Sequence, residues 1–315
     1  MTLLRYVCAV VLIISALSFS SCGPDNRAEQ DKKIIVVTTL FPLYDFTRSI
    51  AGKKADILLM LPPGVEAHAF EPKPADIVKV DRADLFIYTG KHMEPWAQDV
   101  LKSTANRRLT VVDASAGIKL ALLGAEHHHA EPGTGHRHAS YDPHIWLDLE
   151  NAATMVDTIS EGLCKADPPN CPLYRANAAT YKEKLSALDR AYKESLSHCR
   201  KRTLVHGGHF AFGYLARRYG LDYISAYEGT PNAEPTARKM IALQRKIKEK
   251  DVHYIFYEEL LNPKVSEIIA KETGAALLKL HGVHNVTKDE FKNKATFLSL
   301  MEDNLVNLTT GLECK

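Results

Sequence analysis

Short apolar, β-branched runs alternate with helix-period segments along this chain, and the alternation occurs twice, on either side of one long amphipathic stretch. Ile34 to Thr39 (IIVVTT) is a continuous apolar run, as a strand buried on both faces requires. Phe41 to Ala51 follows with helical spacing. Strands are expected again at Ile57–Leu61, Leu85–Tyr88 and Leu109–Val112, with helices at Pro74–Val80 and Glu94–Lys102. Strictly alternating elements of this kind form a parallel α/β sheet. The second series places strands at Thr203–Val205, Tyr223–Ala226, Tyr254–Tyr257 and Ala276–Leu280. Its helices are Phe212–Tyr219, Pro235–Lys250 and Pro263–Thr273, the last stopped by Gly274. A final long helix is expected over Phe291–Leu312.

Between the two series, Asn151 to Ala166 carries Met155, Val156, Ile159 and Leu163 at helical spacing until Pro168 and Pro169 break it. Pro172 then suits the first turn of a new helix. Tyr181, Leu185, Leu188, Tyr192 and Leu196 follow at steps of three or four residues, with charged residues between them. This helix runs to about His198 and would be about 38 Å long at 1.5 Å per residue. That is enough to cross from one domain to another. The fold expected is therefore α/β: two parallel-sheet, Rossmann-like lobes over 34–170 and 199–315, joined by one linker helix over 171–198.

The N-terminus reads as a secretory signal over 1–21. Arg5 precedes an apolar run from Tyr6 to Leu17 that is too short to span a membrane comfortably. Leu17-Ser18-Phe19-Ser20-Ser21-Cys22-Gly23 looks like a bacterial lipobox that would lipidate Cys22. Phe19 departs from the leucine preferred there, and leaves ordinary cleavage as the alternative. Residues 22–33 are polar and read as a flexible tether. The expected location is the periplasm or cell surface, with a lipid anchor. Of six cysteines, Cys164, Cys171, Cys199 and Cys314 lie beyond these segments. In an exported chain they suggest disulfides, with three possible pairings. Cys164–Cys171 across the DPPN turn and Cys199–Cys314 tying down the last helix are favoured. The net charge of +2 with no basic block gives no reason to expect a nucleic-acid partner.

Chemistry enters through histidines placed beyond strands. His68 (GVEAHAFEP), His209 (VHGGHFAFGY) and His281 (LKLHGVHN) follow strands, and His144 (YDPHIWLD) lies in a loop before a helix. Ligands of open parallel sheets bind beyond the carboxyl ends of the strands. A cleft between two lobes would let these four converge on one ion. Imidazole suits zinc and other borderline metals, and a closed tetrahedral shell suits capture, whereas hydrolysis needs a position open for water. His284 and Glu258 are substitutes for His281 as the fourth ligand. His206 sits nearer the strand and is left out, and His92 reads as structural or solvent-facing. A further run, EHHHAEPGTGHRH from Glu126 to His138, has too little apolar content to pack. It is expected to be a mobile loop that holds metal weakly and passes it on.

These features together resemble the metal-ion solute-binding proteins of bacterial ABC importers, the zinc and manganese group. The resemblance covers essentially the whole mature chain. It rests on VVTTLFPLYDFTRSIAG (Val36–Gly52), LPPGVEAHAFEPKPADI (Leu61–Ile77), YTGKHMEPW (Tyr88–Trp96), DPHIWLD, HFAFGYLARRYGL, AEPTARKM and YEELLNPKVSEIIAKETGA. It implies two α/β lobes on a rigid linker helix, with His68, His144 and His209 on the metal. The family often has an aspartate, within Leu-Asp-Pro, as fourth ligand; Leu280-His281-Gly282 stands there instead. An all-imidazole shell favours zinc, and carboxylate suits manganese; the histidine-rich run is likewise typical of zinc members. The resemblance implies capture of Zn2+ without catalysis and delivery to an ABC permease. No GxxxxGK[ST] loop is present, so the ATPase must be a separate chain. A monomer is expected, opening by loop and modest lobe movement. Two rivals differ in class. A zinc hydrolase would use Glu258 as base, though no HExxH occurs. A surface adhesin would carry a purely structural metal.

Overall fold

The computed structural model describes residues 33–123, 141–227 and 235–315. The expected signal (1–21), almost all of the tether (22–33) and the histidine-rich run (126–138) lie outside the described residues. The remainder forms two four-stranded parallel sheets. The first contains β1 (Ile34–Thr38), β2 (Ala55–Leu59), β3 (Leu85–Tyr88) and β4 (Thr110–Asp113), in the order β2-β1-β3-β4. The second contains β5 (Thr203–His209), β6 (Asp222–Tyr227), β7 (Tyr254–Tyr257) and β8 (Ala276–Lys279), in the order β6-β5-β7-β8. The two orders are the same, so each sheet reverses its winding between its first and third strands. A parallel sheet opens a crevice at the carboxyl ends of the strands flanking such a reversal.

The helices between strands are α1 (Phe41–Ala51), α2 (Pro74–Asp81), α3 (Ala97–Ser103), α6 (Gly213–Arg218), α7 (Ala237–Glu249) and α8 (Lys264–Thr273). The connection between the sheets is α4 (Leu149–Ala166) followed by α5 (Cys171–Ser197). Asp148 caps α4 by accepting from the Glu150 and Asn151 N–H groups. Glycine at Gly162 lets α4 lie against β4, since a Cβ there would collide with Val112. At 27 residues, α5 is about 40 Å long. It packs against α1, α4 and α10 (Phe297–Gly311). The Tyr192 hydroxyl donates to the Met301 carbonyl of α10 at 2.5 Å. Buried Asp45 of α1 accepts from the Phe297 N–H at 2.9 Å and from the Tyr181 hydroxyl at 3.3 Å. One apolar core thus runs through the linker helix, with Phe46, Tyr181 and Phe297 meeting edge to face.

Arg218 of α6 draws the same parts together through charge. Its guanidinium pairs with Asp189 of α5 in two parallel bonds of 2.6 and 2.8 Å, and with Asp148 and Glu150 at the start of α4. Both expected disulfides are present, Cys164–Cys171 and Cys199–Cys314. The final helix departs from expectation. Lys288–Lys292 is a separate short helix, α9, with a Thr287–Glu290 capping box. Lys294 then takes a positive φ, and α10 begins afresh from its Thr296 cap. No helix among the described residues is long and apolar enough to cross a membrane.

Candidate metal centre

His209 ends β5, and Glu258 follows β7 directly; these are the strands on either side of the reversal in the second sheet. The β5 strand is longer than the sequence suggests because Gly207 and Gly208 carry it onward. A Cβ at Gly207 would strike Ser266, and one at Gly208 would strike Glu258 and His206. His68 lies in the loop beyond β2, where the Glu66 carboxylate accepts from the His68 and Ala69 N–H groups, both at 2.8 Å. His144 precedes the short 3-10 turn Ile145–Leu147.

Four imidazoles meet here. One nitrogen from each of His68, His144, His209 and His284 lies within 4.8 Å of the others. The Nε2 atoms of His68 and His144 are 3.3 Å apart, and so are those of His209 and His144. A tetrahedral zinc ion with bonds of about 2.0–2.1 Å has ligand–ligand edges of about 3.3–3.4 Å. The chemistry and spacing of this donor set therefore fit zinc. His144, His209 and His284 are buried and His68 is half-buried.

Carboxylates stand behind two of the rings. His144 Nδ1 is 2.7 Å from Asp142 Oδ1, and His209 Nδ1 is 2.8 Å from Glu258 Oε1. Such partners fix which ring nitrogen carries hydrogen and leave Nε2 free to bind metal. Burial pushes the Asp142 carboxyl up to about 7 and Glu258 well above the usual carboxylate range, with Glu259 and Glu66 adding to the latter. Burial likewise pulls His68 and His209 down to about 4 and His144 and His284 well below the ordinary imidazole range. All four rings are thus neutral at pH 7, the form that donates a lone pair to a metal.

The structure brings together His68, His144 and His209 of the expected set but not His281. That ring turns away, with Nδ1 accepting from the Val283 N–H at 2.9 Å, 3.2 Å from Glu259, and Nε2 3.5 Å from Glu290. The cause is backbone geometry. Asn304 grips His281 on both sides, accepting from its N–H at 2.7 Å and donating to its carbonyl at 2.8 Å. Val283 then takes φ of 56°, a region β-branched residues avoid, and the chain turns so that His284 faces the cluster. Glu258, the other substitute considered, sits behind His209 and not beside the other rings. His206 is fully buried under the site and donates from Nδ1 to the His209 carbonyl at 3.1 Å. His92 is exposed and lies against the Tyr141 ring. Asp142 was not anticipated, although its position two residues before His144 is where an aspartate can accept from the His144 N–H, as it does at 3.0 Å.

Comparison with known proteins accords with this geometry. Residues 36–311 match the ZnuA family, described as zinc-uptake complex component A, periplasmic. The zinc-binding protein AdcA of Streptococcus pyogenes is 36% identical over 322 residues, covering 97% of this chain. The chain spans 62% of that relative's length. The high-affinity zinc uptake system protein ZnuA of Bacillus subtilis is 35% identical over 311 residues, covering 98% of this chain and 97% of the relative. Among solved structures, the Zn(II)-bound ZnuA-like domain of Streptococcus pneumoniae AdcA superposes with a TM-score of 0.75 at 31% identity, covering 89% of this chain and 99% of that one. A long linker helix between two parallel-sheet lobes, four converging imidazoles and a match along nearly the whole chain lead to one conclusion: this chain belongs to the ZnuA family.

Proposed function

We propose that this chain is an extracytoplasmic zinc-binding protein that captures Zn2+ through His68, His144, His209 and His284 and delivers it to an ABC permease driven by a separate ATPase. The observation that carries the reading is the convergence of four imidazole nitrogens, two of the rings backed by buried carboxyl groups. Four such donors complete a tetrahedral shell and leave no position for a reacting water. Glu258 is engaged by His209, which argues against a role as hydrolytic base. Zinc is favoured over manganese because the shell offers nitrogen and no carboxylate oxygen. The relatives' names as zinc-binding and zinc-uptake proteins support the same metal. Export, and lipid attachment through Cys22, are part of the proposal.

The test is metal binding by the purified mature protein against a competing chelator, with zinc and manganese in parallel. One tightly held zinc per chain, with manganese bound far more weakly, is expected. Equal affinity for the two metals would overturn the choice of metal. Chelation also separates the adhesin reading: a carrier stays folded without metal, whereas a protein built on a structural zinc unfolds.

A further inference from the structure

The loop that carries His284 belongs to the second lobe by sequence but is fastened to the first. The Phe41 N–H at the start of α1 donates to the His284 carbonyl at 3.1 Å. The Gly64 N–H donates to the Val286 carbonyl at 2.8 Å, and Trp146 Nε1 donates to the Gly282 carbonyl at 2.8 Å. Between the two carbonyls at 284 and 286 lies Asn285, whose side chain is fully buried. Its amide nitrogen donates to the Pro62 carbonyl at 2.7 Å and to the Val65 carbonyl at 2.9 Å. Both partners are acceptors only, so the orientation of the amide is fixed: a flipped group would set oxygen against oxygen. Residues 62–65 are the turn that leads into His68. Gly64 holds φ of 87° there, and Val65 is followed by Glu66, which caps the His68 N–H.

We propose that Asn285 is a positioning residue for the metal centre: it ties the turn that presents His68 to the loop that presents His284, and so sets the distance between two ligands drawn from different lobes. The inference rests on the zinc reading given above. Asn285 touches no metal ligand through its side chain; it acts through the backbone on either side. The Pro62 and Val65 carbonyls can accept from it only while the two loops are in register. Replacement by aspartate removes both donors and faces a carboxylate with two carbonyl oxygens, while conserving volume. Replacement by alanine removes the donors without adding charge.

The experiment compares the parent protein, Asn285→Asp and Asn285→Ala. Zinc affinity is measured with a competing chelator, and the visible absorption of the Co2+-loaded protein reports coordination geometry. Cooperative thermal unfolding of each metal-free protein reports the fold. Removing partners that orient a metal's ligands costs about 10- to 100-fold in affinity. A loss in that range is expected for Asn285→Asp, and a smaller loss for Asn285→Ala. Both should give an altered Co2+ spectrum, with metal-free unfolding still cooperative. Parent-like zinc affinity and Co2+ spectrum in both folded variants would overturn the proposal. So would loss of the fold in both, since Asn285 would then hold the lobes together and not place ligands. Failure of the parent itself to bind zinc would instead bring down the zinc reading, and is distinguished because the parent is measured alongside.

Discussion

Exchanging the two nearby histidines for alanine, one at a time, separates the proposed ligand, His284, from its neighbour, His281. His284 contributes one of four nitrogens within 4.8 Å, whereas the His281 ring lies against Glu259 and Glu290. A four-ligand structural zinc site is worth about 10–16 kcal/mol, so an even share is about 2.5–4 kcal/mol per ligand. In His284→Ala a water can take the vacated position and recover part of that. The expected net loss is about 2–3 kcal/mol, or roughly 30- to 150-fold in zinc affinity at about 1.4 kcal/mol per tenfold. His281→Ala leaves the four nitrogens in place. It removes the acceptor for the Val283 N–H and so slackens the turn that aims His284. Its cost should stay below about tenfold, at the low end of the range for groups that orient ligands. The assay is zinc competition with a chromophoric chelator at pH 7, on proteins whose metal-free unfolding is shown to be cooperative. The reasoning is refuted if His281→Ala weakens zinc as much as His284→Ala, or if His284→Ala binds like the parent.

Other consequences follow from the same contacts. Asp142→Asn removes the carboxylate 2.7 Å from His144 Nδ1, and should weaken zinc by about 10- to 100-fold without unfolding the protein, read by the same competition. Acid stability is set in part by Asp189. Burial pushes its carboxyl up, but paired hydrogen bonds from Arg218, with Lys193 and Tyr219, outweigh this and hold it at about 2. Its folded value lies below the unfolded one near 3.9, so its contribution of about 2 kcal/mol is present above about pH 4 and lost as pH falls through about 2. Asp189→Asn should therefore lower stability near neutrality and flatten the loss between pH 4 and 2, measured by denaturant unfolding of the metal-free protein. The Cys199–Cys314 bridge spans 115 residues of chain, for which loop entropy predicts a loss of roughly 4–5 kcal/mol on paired replacement by serine. Unchanged unfolding midpoints would contradict this.

Much of the fold was legible because parallel strands buried on both faces must be continuously apolar. IIVVT at β1 and LFIY at β3 can be little else, and the proline pair before α5 marks where the linker begins. Three of the four converging histidines were legible because they lie in the loops beyond strands or beside the reversal points, where parallel sheets bind ligands. The fourth, His284, was legible only as an alternative to His281, because its placement depends on a valine held at positive φ, which local preference disfavours and Asn304, Glu259 and the first lobe's backbone impose. The break between α9 and α10 was hidden for a similar reason: Lys294 adopts the left-handed conformation inside a segment whose apolar spacing continues through it. Of the carboxylates behind these rings, Asp142 is local, two residues before His144, whereas Glu258 meets His209 only through distant pairing, of which spacing along the chain carries no trace.

The central claim is a zinc ion held by four imidazoles. X-ray absorption at the zinc edge of the purified mature protein, loaded with one equivalent of zinc, tests it most directly. The account predicts four nitrogen neighbours at about 2.0–2.1 Å with the outer-shell scattering of imidazole rings. A shell of five or six oxygen-rich neighbours, or one containing carboxylate oxygen in place of the fourth imidazole, would contradict it.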